Sequence, residues 1–179
     1  MKNLKNKLIL SFTLFLLGCG SLPSIKNAPQ IKDFEALNRG QNKEAVKKLL
    51  GYASEIRSIK RNDQSHEAWI YNDSNNTQRG AVVFNQNNQV ETVTTMPLET
   101  EKESNLDFLI KEKFTALQFE KIPLQRCQRD FVPAEVFYID PKQGMIIEVD
   151  KPTGIVNSLS RNSPEYAADL IRRIKSCKR

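Results

Sequence analysis

The residues with the most reactive side chains are three cysteines, Cys19, Cys127 and Cys177, and a single histidine, His66. A thiolate is a nucleophile, a metal ligand or half of a disulfide, and spacing decides among these uses. No Cys-x-x-Cys occurs, so thiol–disulfide exchange is not expected. One histidine without marked partners makes neither a catalytic triad nor a histidine-based metal site. His66 is expected at the edge of a strand. Glu99, Glu101, Glu103 and Asp107 read as the solvated entry of a helix, where they suit the positive end of its dipole. There is no phosphate-binding loop, dinucleotide glycine pattern or nucleophile elbow. The expectation is a protein that binds rather than catalyses: no catalytic residue, no metal, no cofactor, no small-molecule substrate.

Cys19 has the most telling surroundings. Lys2, Lys5 and Lys7 precede an apolar run from Leu8 to Leu17, broken only by Ser11 and Thr13. That run is shorter than the roughly 20 residues a spanning helix needs, and it reads as an export signal. It ends in Leu16-Leu17-Gly18-Cys19, which resembles the bacterial lipobox. The resemblance implies that Cys19 carries a thioether-linked diacylglycerol and that the signal, residues 1–18, is removed before it. Gly20 follows, which by the usual sorting rule implies the outer membrane, with the body on the periplasmic face. Residues 19–30, with Pro23 and Pro29, read as a tether; the eleven residues from Gly20 to Gln30 reach roughly 35 Å when extended.

The same reading changes the charge. The chain has a formal net charge of +6, and three of those units sit on Lys2, Lys5 and Lys7. The remainder is too small to argue for nucleic acid and reads as a solvated surface. With Cys19 lipidated, Cys127 and Cys177 are left as an even pair. An oxidising compartment would join them in a disulfide, contributing roughly 4 kcal/mol by chain entropy; two buried free thiols are the alternative.

Hydrophobic spacing then supplies the elements. A short helix is expected over Ile31–Asn38. A second follows the cap Asn42, with Ala45, Val46, Leu49 and Leu50 on one face and Gly51 as its stop. Strands are expected at Ala68–Tyr71, Gly80–Phe84 and Gln89–Thr95, joined by polar turns. Ser104-Asn105-Leu106-Asp107 opens a helix whose apolar face runs through Leu106, Leu109, Ile110, Phe114 and Leu117 to about Phe119. Three further strands are expected at Val136–Ile139, Met145–Val149 and Ile155–Ser160. Ser163-Pro164-Glu165 starts a last helix with Tyr166, Leu170, Ile171, Ile174 and Cys177 on one face. Its basic end, with Arg172, Arg173, Lys175, Lys178 and Arg179, suits the helix C-terminus or a contact with anionic lipid or an acidic partner. Trp69 reads as either a core or a contact residue. The two meanders resemble each other: Glu67–Tyr71, Gly80–Phe84 and Val90–Val93 against Glu135–Ile139, Gly144–Glu148 and Val156–Leu159. Duplication and coincidental patterning both fit.

Gly40 to Gly51, then Trp69-Ile70-Tyr71, Val82-Val83-Phe84 and Val90, resembles the SmpA/OmlA (BamE-like) family of small outer-membrane lipoproteins. The resemblance spans residues 31–96. It implies an α+β fold: two short helices packed on a three-stranded antiparallel sheet, BamE/BLIP-like, over residues 31–98. A second α/β meander unit with a C-terminal helix would then occupy residues 99–179. It also implies a lipid-anchored, protein-binding factor accessory to β-barrel or envelope assembly. A periplasmic enzyme inhibitor or sequestering protein like the β-lactamase inhibitor protein is the alternative, suggested by the tandem units.

Overall fold

The computed structural model describes residues 28–61, 64–123 and 135–176. The expected two helices on a three-stranded sheet, followed by a separate unit, is corrected. All the strands of the described residues join one eight-stranded antiparallel sheet, in the order β1-β2-β3-β4-β8-β7-β6-β5. The strands are β1 (Glu55–Arg61), β2 (Gln64–Asn72), β3 (Gln78–Phe84), β4 (Val90–Thr95), β5 (Glu120–Pro123), β6 (Glu135–Asp140), β7 (Met145–Asp150) and β8 (Val156–Arg161). The helices are α1 (Ile31–Glu35), α2 (Lys43–Leu50), α3 (Leu106–Phe108) and α4 (Pro164–Ser176). No helix among them is long and apolar enough to cross a membrane.

The two halves fuse because β4 pairs with β8 through Val93↔Arg161, Thr94↔Ser160 and Thr95↔Leu159. Each half is a four-stranded meander, since sequence patterning missed both outer strands. β1, Glu-Ile-Arg-Ser-Ile-Lys-Arg, is mostly exposed, so it has little of the apolar alternation that marks a strand. β5 is only four residues long and ends on Pro123.

The register assigns each side chain to a face. On the first face, α1 and α2 cover the first half, with Phe34, Leu37, Val46 and Leu50 against Tyr71, Val82 and Phe84. On the same face, α3 and the segment after it cover the second half, with Leu109 against Ile147, Val149, Val156 and Leu159. On the opposite face, α4 sets Ala167, Ile171 and Ile174 against Ile122, Ile139 and Ile146. Burying each of the Val, Leu, Ile and Phe side chains among these contributes about 1.5–3 kcal/mol.

α2 forms as its sequence dictates. The Asn42 side chain accepts from the Ala45 N–H at 2.9 Å, and the Gly51 N–H closes the helix on the Lys47 carbonyl. Ser163 caps α4 by accepting from the Tyr166 N–H. The helix expected to run to Phe119 is shorter. After α3 the backbone widens into a π-helical turn, Leu109–Lys113, and stops. Buried Asp140 is the physical reason: it accepts from the Gln118 N–H at 2.7 Å and so draws 115–119 out of the helix toward β6.

The resemblance between the meanders is one of topology. Val90 and Val93 share a face with their counterparts Val156 and Leu159. Trp69, however, lies on the α2 face, whereas its counterpart Phe137 lies against α4. A one-residue offset reverses faces in a strand, so the like residues of β2 and β6 are not structural equivalents.

Gly80 and Gly144 differ in the same way. A Cβ on Gly80 would lie 2.6 Å from the Thr94 carbonyl oxygen and 2.7 Å from the Phe34 ring. Gly144 has φ +68°, and a Cβ there would lie 2.1 Å from the Asn162 carbonyl oxygen. Gly80→Ala is expected to destabilise the protein by about 1–3 kcal/mol, and Gly144→Ala by more. Urea unfolding checks both, and equal stability of the two variants would contradict the ordering.

Candidate functional site

The lipidation residue Cys19 and the expected disulfide pair Cys127 and Cys177 lie outside the described residues. So do Lys178 and Arg179. The other residues singled out by sequence are scattered over the described residues, and the fold adds two further places, the seam between the halves and the outer edge of β1.

His66 lies within β2 rather than at the edge of a strand. It is buried in β2, with Nδ1 2.9 Å from Glu91 Oε2. Glu91 is displaced from the regular ladder: β3 pairs Val83 with Thr92 and Phe84 with Val90, leaving Glu91 as the extra residue of a bulge. Trp69 is half-buried, edge-on to Phe84 at 4.9 Å, with its indole N–H donating to Glu67. It is a packing residue of the first core. Glu101 is not merely a solvated acid of a helix entry. It takes a charged hydrogen bond from buried Arg79 and one from the Leu98 N–H, pinning the chain after β4. At the end of α4, Arg172 and Arg173 pair with Asp169, and Lys175 pairs with Glu120 of β5.

The first of the two further places is the seam between the halves. A cleft of about 290 Å³ opens on the first face over β4 and β8, between α1 and Phe114. Phe34, Val93, Met145 and Leu159 make its apolar walls, and Arg161 and Lys113 its cationic rim. A contiguous hollow of about 310 Å³ shares Lys113, Phe114, Met145 and Arg161 with it. Both cations are engaged. Arg161 Nη2 donates to the carbonyls of Phe34 (3.0 Å) and Glu35 (2.7 Å) at the C-terminal end of α1, where the Phe34 carbonyl also accepts from the Leu37 N–H. Lys113 pairs with Glu35 and Glu103. On the opposite face a polar chain crosses the seam: Arg61 Nη1 donates to Thr92 Oγ1 (2.9 Å), and that hydroxyl donates to Asn162 Oδ1 (3.0 Å). Arg61 also lies over the Tyr166 ring of α4. These cations clamp elements together.

The second is the outer edge of β1. Among the described residues β1 pairs only with β2. Ile56 in it is 61% exposed, and Tyr52 just before it is 76% exposed. Leu49 of α2, three residues before Tyr52, is also exposed. Lys47 lies over the Tyr52 ring at 4.0 Å. Sequence reading missed this surface together with the strand itself. The available signal was Ile56 and Ile59 set among Arg57, Lys60 and Arg61 just after a helix stop.

One carboxylate group has an altered affinity for protons. Glu135 of β6 stands beside Glu148 and Asp150 of β7. Burial first, then the charge and hydrogen bond of Glu148, then the charge of Asp150, push the Glu135 carboxyl up to about 7. The structure holds no metal-competent cluster of His, Cys, Asp and Glu among the described residues. No protein-family model matches the chain, nor does any curated protein sequence or solved structure.

Two outcomes follow from this geometry. Arg161→Met keeps the side-chain stem but removes the donors to α1, and is expected to cost about 2 kcal/mol in urea unfolding. Glu135 has a folded pKa above its unfolded value, so the folded state binds the extra proton. Stability is therefore expected to fall as pH rises from about 4.5 to about 7. Glu135→Gln should remove that part of the pH dependence and raise the melting temperature at pH 8 relative to wild type. A wild-type and variant pair with parallel melting curves from pH 5 to 8 would contradict this.

Proposed function

We propose that this protein is a lipid-tethered, protein-binding factor of the bacterial outer membrane, held at the periplasmic face through Cys19. The reading of Leu16-Leu17-Gly18-Cys19 supports the tether, and the exposed edge of β1 supports the binding. The edge observation carries the functional half: it offers unpaired backbone groups beside Tyr52 and Ile56. Soluble proteins normally cover or blunt such an edge. The partner belongs to the cell envelope, and the β-barrel assembly machinery is the first candidate. A cysteine-bound lipid plus a short tether would keep the body within reach of membrane-embedded partners.

The inhibitor alternative requires exposed aromatics over a continuous sheet face. Among the described residues, the exposed large apolar side chains are Leu49, Tyr52, Ile56 and Leu98, which do not form such a face.

Cys19→Ser is expected to move the protein from the membrane to the soluble fraction, and retention in washed membranes would contradict lipid tethering. Crosslinking in cells, followed by mass spectrometry of detergent-solubilised membranes, should recover an envelope protein. Repeated recovery of none would overturn the binding role.

A further inference from the structure

We propose that β1 is a docking strand for an extended acidic segment of the partner protein, which joins the sheet by pairing antiparallel with Glu55–Arg61. This rests on the protein-binding reading and names the surface and the chemistry of the partner.

The two sheet edges are treated differently. β5, the other edge, is four residues long, and Pro123 has no N–H to offer. Lys175 of α4 also anchors onto its Glu120. β1 is seven residues long, without proline. Every second residue of an edge strand directs its N–H and C=O away from the sheet, so β1 holds several backbone groups available to another chain. Adding a strand supplies affinity through those main-chain groups and specificity through alternate side chains.

The side chains define the complement. Ile56, Ser58 and Lys60 fall on the first face, and Arg57, Ile59 and Arg61 on the second. Arg61 is turned inward to Thr92, so the cations presented are Arg57 and Lys60. Arg57 is chelated by Glu55, both highly accessible. Such an exposed pair contributes little, so an incoming carboxylate competes with it readily. Lys60 has no carboxylate within 4 Å among the described residues. An antiparallel partner read from Lys60 back to Ile56 therefore wants acid, apolar, any residue, acid, apolar.

A second copy is the other natural occupant, and its charge argues against it. Pairing centred on Ser58 sets Glu55 opposite Arg61, and pairing centred on Ile56 sets it opposite Arg57; centring on Arg57 or Ile59 opposes arginine to arginine. Even the favourable registers bring together two strands that each contain one acid and three bases. Like charges across an antiparallel pair are destabilising.

The test is fluorescence anisotropy of a labelled Glu-Val-Thr-Glu-Val peptide, flanked by polar residues, titrated with the full chain in detergent. Saturable binding is expected. The double variant R57E/K60E, changed only at exposed positions, should bind at least about tenfold more weakly. It should instead prefer Lys-Val-Thr-Lys-Val by a similar factor. Methylating alternate backbone nitrogens of the peptide on its pairing side should abolish binding. No saturation by about 1 mM, indifference to N-methylation, or equal binding by the double variant would overturn the proposal. So would concentration-dependent self-association in sedimentation that R57E/K60E abolishes, which would assign the edge to a second copy. An envelope partner crosslinked through another surface, with no peptide binding, would remove the docking strand and leave the protein-binding role standing.

Discussion

Three residue pairs hold the molecule together. Val93↔Arg161, Thr94↔Ser160 and Thr95↔Leu159 are the whole of the β4–β8 ladder, against five or more pairs in each of its neighbouring ladders. A ladder this short would be a weak join alone. It is reinforced on both faces by side chains from the sequence-distant half. Above it, Arg161 of β8 satisfies the last carbonyls of α1, so a helix from the first half is capped by a strand from the second. Below it, Thr92 stands between Arg61 and Asn162, linking β1, β4 and the chain leading into α4. Buried polar groups of this kind are costly unless every one is paired. Their mutual satisfaction therefore specifies a single docking of the halves.

That constraint explains why the helices lie where they do. α1 is one turn and a half and buries only Ile31 and Phe34 within its span. An isolated helix of this length does not form in water. It is held by Phe34 edge-on to Tyr71, by the Gln30 N–H on the Asp33 carboxylate and by Arg161 at the far end. Gly80 is the matching concession in the sheet, since any side chain there would meet the Phe34 ring.

Local chemistry was legible wherever one residue type has one job. Asn42 and Gly51 bounded α2, Ser163 and Pro164 opened α4, and the polar turns between the inner strands were readable as turns. The wider architecture was not legible, for specific reasons. Pairing between β4 and β8 joins residues more than 60 positions apart, and nothing in either segment marks its neighbour. β1 is exposed and charged, so burial never imposed the alternation by which strands are recognised. The turn that ends the α3 segment depends on Asp140, which lies 22 residues beyond Gln118 in sequence. The site followed the fold: an open edge has no local signature, because being an edge is a property of the whole sheet.

An open edge has to be kept from indiscriminate pairing, and here the means of protection also selects a partner. β5 is closed by shortness and by Pro123, devices that reject every strand alike. β1 is protected by Arg57 and Lys60 instead. Charge rejects strands by sign: other basic segments, including a second β1, are repelled, and apolar ones would leave Lys60 desolvated without a partner. An acidic segment escapes both penalties. Ile56 and Tyr52 then gain burial only when such a strand is in place, so apolar area adds affinity after charge has chosen the partner. The contrast between the two edges of one sheet is thus a difference in kind: one edge is shut, and the other is conditional on charge.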